Sequence, residues 1–162
     1  MARLRGRAPK GQRVKSYIPH GHWKTSTFVA VLSSQGIAAP MILEGPMNGE
    51  VFLAYTNQFL APVLKPGDRV IMDNLSSHKV AGVEEAIEAA GASVLYLPPY
   101  SPDLNPIEQA FSKLKALLRK AAKREIEALW RALPSCLDAF SITEFSNYIR
   151  NSGYCMIKQK ML

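Results

Sequence analysis

Four prolines fall within nine residues of this chain, at Pro98, Pro99, Pro102 and Pro106. Each fixes its own φ and removes a backbone donor, and each pushes the residue before it toward extended conformations. The run Leu97-Pro98-Pro99-Tyr100-Ser101-Pro102-Asp103-Leu104-Asn105-Pro106-Ile107-Glu108 must therefore end any strand before it, cross a stiff loop, and start a helix at a well-defined point. Asn105 suits the N-cap and Pro106 the first helical position. Glu108 stands three residues after the cap, where a capping box places its carboxylate.

The elements on either side follow from periodicity and punctuation. Upstream, residues 1–12 form a basic arm, and strands are predicted over Arg13–Ile18, Thr25–Ser33 and Ile37–Leu43, the last two joined by a turn at Gln35-Gly36. A turn is expected at His20–Lys24. Three short strands in succession suggest an antiparallel meander. Helices and strands then alternate. A helix capped by Asn48 runs to about Leu64, with Phe52, Tyr55, Phe59 and Val63 on one stripe. The strand Arg69–Met72, the helix Val80–Ala90 and the strand Ser93–Leu97 follow. After the proline-rich run, a helix extends from Pro106 to about Lys123, with Ile107, Phe111, Leu114 and Leu118 on its apolar face. Another covers Glu125 to Phe140, with Pro134 as a point where it can break. Ser141 and Glu144 pair as a capping box for a last helix that Gly153 ends. Short strands joined through helices are expected to be parallel. The fold class is α/β: one mixed sheet, a meander and then parallel strands, covered by helices. The organisation is one domain over 1–162, with the arm at 1–12, a core at 13–123 and C-terminal helices at 124–162.

Charge narrows the partners. The chain carries a formal +7, and 12 of its 20 basic residues lie in two clusters, Arg3 to Lys15 and Lys113 to Arg124. The first carboxylate in the sequence is Glu44, so nothing acidic balances the first cluster. Such clusters serve either as solvated faces or as contacts to nucleic acid. Cys136 and Cys155 fit no metal motif and no disulfide framework. No signal peptide is evident and no apolar run is long enough for a membrane span. A cytoplasmic location is expected.

Two carboxylates stand where chemistry is done in α/β folds. Asp73 follows Arg69-Val70-Ile71-Met72, at the C-terminal end of a strand, where ligands gather. Asn74, Ser76, Ser77, His78 and Lys79 continue as a polar loop. Asp73 can instead cap a turn or the next helix. Glu108 can instead serve only to cap its own helix. His78 and Lys79 are candidates to touch a substrate phosphate or an attacking hydroxyl, unless His78 merely caps the helix after it. Ser112, Lys115 and Arg119 share a helical stripe with Glu108, rotated off the apolar face. Lys115 lies roughly 10 Å along the axis from Glu108. The stripe reads either as a DNA-gripping track or as an ordinary solvated face.

The run from Asp73-Asn74 through His78, followed by Leu-Pro-Pro-Tyr-Ser-Pro-Asp-Leu-Asn-Pro-Ile-Glu, closely resembles the DDE transposases of the mariner-like bacterial insertion-sequence group. Asp73 and Glu108 have 34 residues between them, as that family shows between its second and third catalytic acids. The Arg5-Gly6-Arg7-Ala8-Pro9 arm, the Gly21-His22-Trp23-Lys24 turn and the Asn147-Tyr148…Gly153-Tyr154 segment are also similar, so the resemblance covers essentially the whole chain. It implies a ribonuclease-H-like fold and two-metal phosphoryl transfer, with Asp73 and Glu108 as catalytic and metal-binding acids. Two Mg²⁺ or Mn²⁺ ions are implied, held by hard oxygen ligands. The implied partners are DNA, as transposon ends and target, and a second copy of the chain in the active complex. The implied location is the bacterial cytoplasm, at the nucleoid when bound to DNA.

The resemblance also implies a third acid, an Asp on a first strand ahead of the meander, which residues 1–43 do not contain. That strand is expected to be missing and the chain to be N-terminally truncated, also lacking an upstream helix-turn-helix domain. Two functional expectations follow. The chain is a transposase catalytic core that cuts and joins DNA, inactive alone for want of the first Asp. Alternatively it is a non-catalytic DNA-binding remnant or an inhibitor of full-length transposase. Another ribonuclease-H-like nuclease fits the proline-rich motif poorly.

Overall fold

A computed structural model describes residues 6–15, 25–123 and 125–154. Strand β1 (Ser26–Ser33) and strand β2 (Gly36–Glu44) form an antiparallel hairpin. Helix α1 (Gly49–Tyr55) leads through a π-turn and a 3₁₀ turn to strand β3 (Arg69–Met72). Helix α2 (Val83–Ala89) then connects to strand β4 (Ser93–Tyr96), which pairs with β3 in parallel. Three helices complete the described chain: α3 (Pro106–Ala121), α4 (Ile126–Leu137) and α5 (Ile142–Asn151).

The strands lie between two helical layers. One core joins Phe52, Tyr55 and Leu60 of the α1 region, Val83 and Ile87 of α2, and Met72 of β3, with Val29, Val31, Met41, Val70 and Val94 packed on it. The other joins Leu114 and Leu118 of α3 to Leu133 and Cys136 of α4, with Phe28 and Ile42 of the hairpin against them. Alternate residues of β1 thus reach opposite cores, as the two-residue period of a strand requires. The result is a mixed α/β architecture of antiparallel and parallel strands flanked by helices.

Several expectations need revision. Among the described residues the strands hydrogen-bond as two two-stranded sheets rather than one continuous sheet. The expected first strand of the meander is not formed at Arg13, Val14 and Lys15, which are exposed and outside any sheet; its remainder and the His20–Lys24 turn lie outside the described residues. The helix expected over 48–64 changes pitch at Thr56. The Thr56 hydroxyl donates to Phe52 O at 2.9 Å, Pro62 has no N–H to offer, and Ala61 N–H reaches back five residues to Thr56 O. That π-turn rotates the stripe by one position. Leu60 is buried at 2 % exposure while Phe59, expected inside, is exposed, as is Val63. The α2 helix begins at Val83 rather than Val80 because Gly82 sits at φ +94° and Ser76–Lys79 forms its own 3₁₀ turn. Helix α4 continues past Pro134 to Leu137. Asn48 caps α1 as expected, accepting from Val51 N–H at 2.8 Å.

The β2 strand is irregular in its middle. Its register shifts between Val29 and Val31, Ala39 takes φ +48°, and Pro40 follows. A bulge accommodates both a proline and a positive φ. The Tyr55 hydroxyl donates to Ala39 O at 2.9 Å, fixing the bulge to α1. Burial pushes the Tyr55 pKa up to about 12, so the hydroxyl stays a donor at any working pH.

Candidate active site

The C-terminal ends of β3 and β4 and the start of α3 enclose a cleft of about 420 Å³, lined by Asp73, Asn74, Leu75, Pro98 to Pro102, Asn105 and Glu108. Asp73 is carried directly off β3. Glu108 arrives from the first turn of α3, after the proline-rich loop. The topology therefore brings together two carboxylates that are distant in sequence.

Neither carboxylate serves the alternative role that its local sequence allows. The Asn105 side chain caps α3 weakly, accepting from Ile107 N–H at 3.3 Å. Its own N–H, which a capping glutamate would accept, already donates to Pro102 O at 3.1 Å. The 3₁₀ turn Pro102–Leu104 thus satisfies the group that Glu108 would otherwise bind, and α3 closes no reciprocal box. Glu108 remains exposed at the cleft. Asp73 caps nothing. Its Oδ1 pairs with His78 Nδ1 at 2.6 Å, and its side chain stays 43 % exposed.

His78 is held in place from two other directions. Its ring packs on Phe52 with centroids 4.2 Å apart, and its carbonyl accepts from the Tyr96 hydroxyl at 3.2 Å. It does not cap α2, whose first free N–H, at Gly82, donates to Glu85 Oε2 at 2.8 Å. Lys79 projects its ammonium over the Tyr96 ring, 5.3 Å from the centroid. His78 thus lies against Asp73, but neither it nor Lys79, Lys115 or Arg119 is part of the cleft lining. On α3, Glu108, Ser112 and Lys115 are exposed and Arg119 is half-buried, which fits a stripe off the buried face of Ala110, Leu114 and Leu118.

The sequence reading did not single out Leu75, Tyr100 and Asn105 as lining residues, nor the strut that holds α3. Gln109, next to Glu108, donates to Tyr148 O at 3.3 Å and Ser152 Oγ at 3.2 Å. The Tyr154 hydroxyl donates to Leu104 O at 2.8 Å. These bonds tie the end of α5 to the start of α3. Only the Asn147-Tyr148…Gly153-Tyr154 similarity hinted at them. Among the described residues no group of three or more His, Cys, Asp or Glu side chains forms a metal cage. The two cleft carboxylates offer hard oxygen donors suited to Mg²⁺ or Mn²⁺, and their exposed positions at one cleft fit such a group, as a partial ligand set. No described helix is long and apolar enough to cross a membrane.

Solved structures share the fold. The Mos1 strand transfer complex superposes with a TM-score of 0.69 at 19 % identity, covering 94 % of this chain and 47 % of that one. The catalytic domain of Mos1 mariner transposase gives 0.62 at 20 % identity, over 80 % of this chain and 73 % of that one. The Mos1 mariner paired end complex with Mn gives 0.67 at 18 %, over 94 % and 48 %. The present chain spans about half the length of the transposase chains in the two complexes. At these identities the likeness is one of fold. No curated protein sequence matches the chain. The family model described as DDE superfamily endonuclease matches residues 1–130, from the basic arm through both cleft carboxylates and into α4. With most of its length accounted for in this way, the chain belongs to the DDE superfamily endonuclease family.

Proposed function

We propose that this chain is the catalytic core of a DNA transposase, with Asp73 and Glu108 as two of its catalytic, metal-binding acids. The observation that carries the reading is that both carboxylates line one cleft, free of the capping roles open to them. Two Mg²⁺ or Mn²⁺ ions, when bound, would supply activation of a water or 3′-hydroxyl and stabilisation of the leaving oxygen. Asp73 and Glu108 would hold them, and His78, braced on Phe52, would set the orientation of Asp73. The partners are DNA, as transposon ends and target, and a second copy of the chain. Lys79, Lys115 and Arg119 would bind backbone phosphates away from the cleft, and His78 would touch a substrate phosphate or an attacking hydroxyl beside Asp73.

The chain alone is expected not to cleave. Two acids neutralise a pair of divalent ions poorly, and residues 1–43 supply no third. The same observation favours a second reading, a non-catalytic DNA-binding remnant or an inhibitor of full-length transposase. Nicking of supercoiled plasmid in Mn²⁺, with Mn²⁺ binding measured by calorimetry, tests both. The expected result is Mn²⁺ binding that Asp73→Asn and Glu108→Gln each abolish, without nicking. Nicking that Asp73→Asn removes would show the third acid to be dispensable. Failure of the parent to bind Mn²⁺ would overturn the assignment of the acids.

A further inference from the structure

The cleft lining has an unusual chemistry for a site that receives a polyanion: among the described residues it contains no lysine or arginine. The chain carries 20 such residues, yet the groups around the two carboxylates are Leu75, three prolines, Tyr100 and small polar side chains. Tyr100 is the outlier among them. It is fully exposed, at 101 %, and Leu75 is 54 % exposed. Tyr100 also takes φ +57°, a backbone conformation that is a true outlier for a bulky side chain and that persists where the surroundings impose it. Pro99 before it and Pro102 two residues after it stiffen the loop that carries it. Of the other described tyrosines, Tyr55, Tyr96 and Tyr154 each donate to a backbone carbonyl, and Tyr148 is half-buried beside Glu144. The Tyr100 hydroxyl and ring have no such partner among the described residues.

We propose that Tyr100 is a stacking platform for an unpaired nucleobase at the mouth of the cleft, with Leu75 as the apolar contact on the β3 side. This rests on the reading that the cleft takes DNA. An aromatic ring, a leucine and prolines offer nothing to a phosphate, but they match the face of a base. Inside a duplex that face is covered by its neighbours, so the base must be unpaired. Asn74 and Asn105, in the same lining, carry amides that can bond base edges. The rigid loop keeps the ring extended before DNA arrives, so little ordering is needed on binding.

The test measures fluorescence anisotropy in Ca²⁺ with three oligonucleotide duplexes: blunt, carrying a three-nucleotide overhang, and carrying the same overhang without bases. Tyr100→Ala should weaken binding to the base-bearing overhang by roughly 5- to 150-fold, the range for loss of one stacked base. It should change binding to the blunt and baseless duplexes by less than about twofold. Tyr100→Phe should bind like the parent. A 2-aminopurine in the overhang should be quenched by the parent and by Tyr100→Phe but not by Tyr100→Ala. Tyr100→Gly should melt no lower than the parent, because glycine accepts the positive φ, so lost binding cannot be lost folding. Equal losses on all three duplexes, or no loss on any, would overturn the stacking role while leaving DNA binding intact. A change in oligomeric state without any DNA effect would overturn it in favour of a protein contact. A parent that binds no duplex at all would remove both this proposal and the DNA reading beneath it.

Discussion

Helices α3 and α5 start from nearly the same local sequence, a polar cap with a glutamate three residues later, yet the two glutamates reach opposite states. At α5 the box closes: Ser141 N–H donates to Glu144 Oε2 at 2.8 Å and Glu144 N–H to Ser141 Oγ at 3.3 Å. Lys113 adds an ion pair to Glu144 and stands over the Phe140 ring. At α3 the cap N–H of Asn105 is already bound to Pro102 O, and Glu108 is left facing the cleft. The tetrapeptide pattern does not decide which outcome occurs. The turn before it does: a 3₁₀ turn that satisfies the cap N–H frees the glutamate, and an open connection lets it fold back.

The largest difference should appear in stability. Glu144→Ala, measured by urea unfolding in chelator, should destabilise by about 1–2 kcal/mol through loss of the cap and its bonds. Glu108→Ala should change stability by no more than about 0.5 kcal/mol. Equal losses would mean that Glu108 is structural after all. Next comes metal linkage. At Mn²⁺ concentrations ten times its dissociation constant, binding should stabilise the parent by about 1.4 kcal/mol. Glu108→Gln and Asp73→Asn should lose this increment, and Glu144→Gln should keep it.

The acid response sharpens the contrast further. The hydrogen bond from Lys113, then that from Ser141 N–H, holds the Glu144 carboxyl below the usual carboxylate range. A depressed folded pKa contributes stability that is present above the unfolded value and lost as pH falls through the folded one. The gap between parent and Glu144→Gln should therefore be full at pH 7 and shrink below about pH 4. A gap that widens on acidification would contradict the pairing. The smallest effect separates two lysines on α3. Lys115→Ala and Arg119→Ala should each flatten the dependence of log DNA affinity on log salt by about 0.9, one phosphate contact apiece. Lys113→Ala should do much less, because Lys113 already faces Glu144. Changes at Lys158 and Lys160, outside the described residues, are also expected to have little effect. Equal slopes for all would make the α3 stripe ordinary surface charge.

The sequence was a good guide wherever a single local rule governed. Arg69–Met72 ends where Asp73 was expected to leave the sheet, the Ser141–Glu144 box forms, and Asn105 and Pro106 open α3. It was a poor guide where a side chain competed with the backbone. Thr56 takes a carbonyl from the helix and Pro62 withholds a donor, and neither effect shows in apolar periodicity, so Phe59 was placed inside and Leu60 overlooked. The cleft was legible as two acids, because a strand end and a helix start are both readable. Its rim was not. Nothing in the pattern around Tyr100 states that its ring is exposed, since that goes with a positive φ that no local rule signals at a tyrosine. The strut from Gln109 to Tyr148 and Ser152 joins residues about 40 positions apart, beyond any periodic signal.

The irregular middle of β2 has a consequence for self-association. Pro40 and the φ +48° turn at Ala39 make β2 a poor template for another strand, because a bent ladder missing a donor cannot be copied. Its neighbour β1 has neither protection. Ser26 to Ser33 is eight residues without a charge, a proline or a glycine, and β-branched side chains stand at Thr27, Val29 and Val31. Strand recruitment at this hairpin is therefore one-sided. The Phe111 ring packs on Phe28, Trp130 Nε1 donates to Ser26 Oγ at 3.2 Å and α5 contacts the strand; a chain whose β1 lost this cover would aggregate through that segment and leave β2 out of the growing ladder.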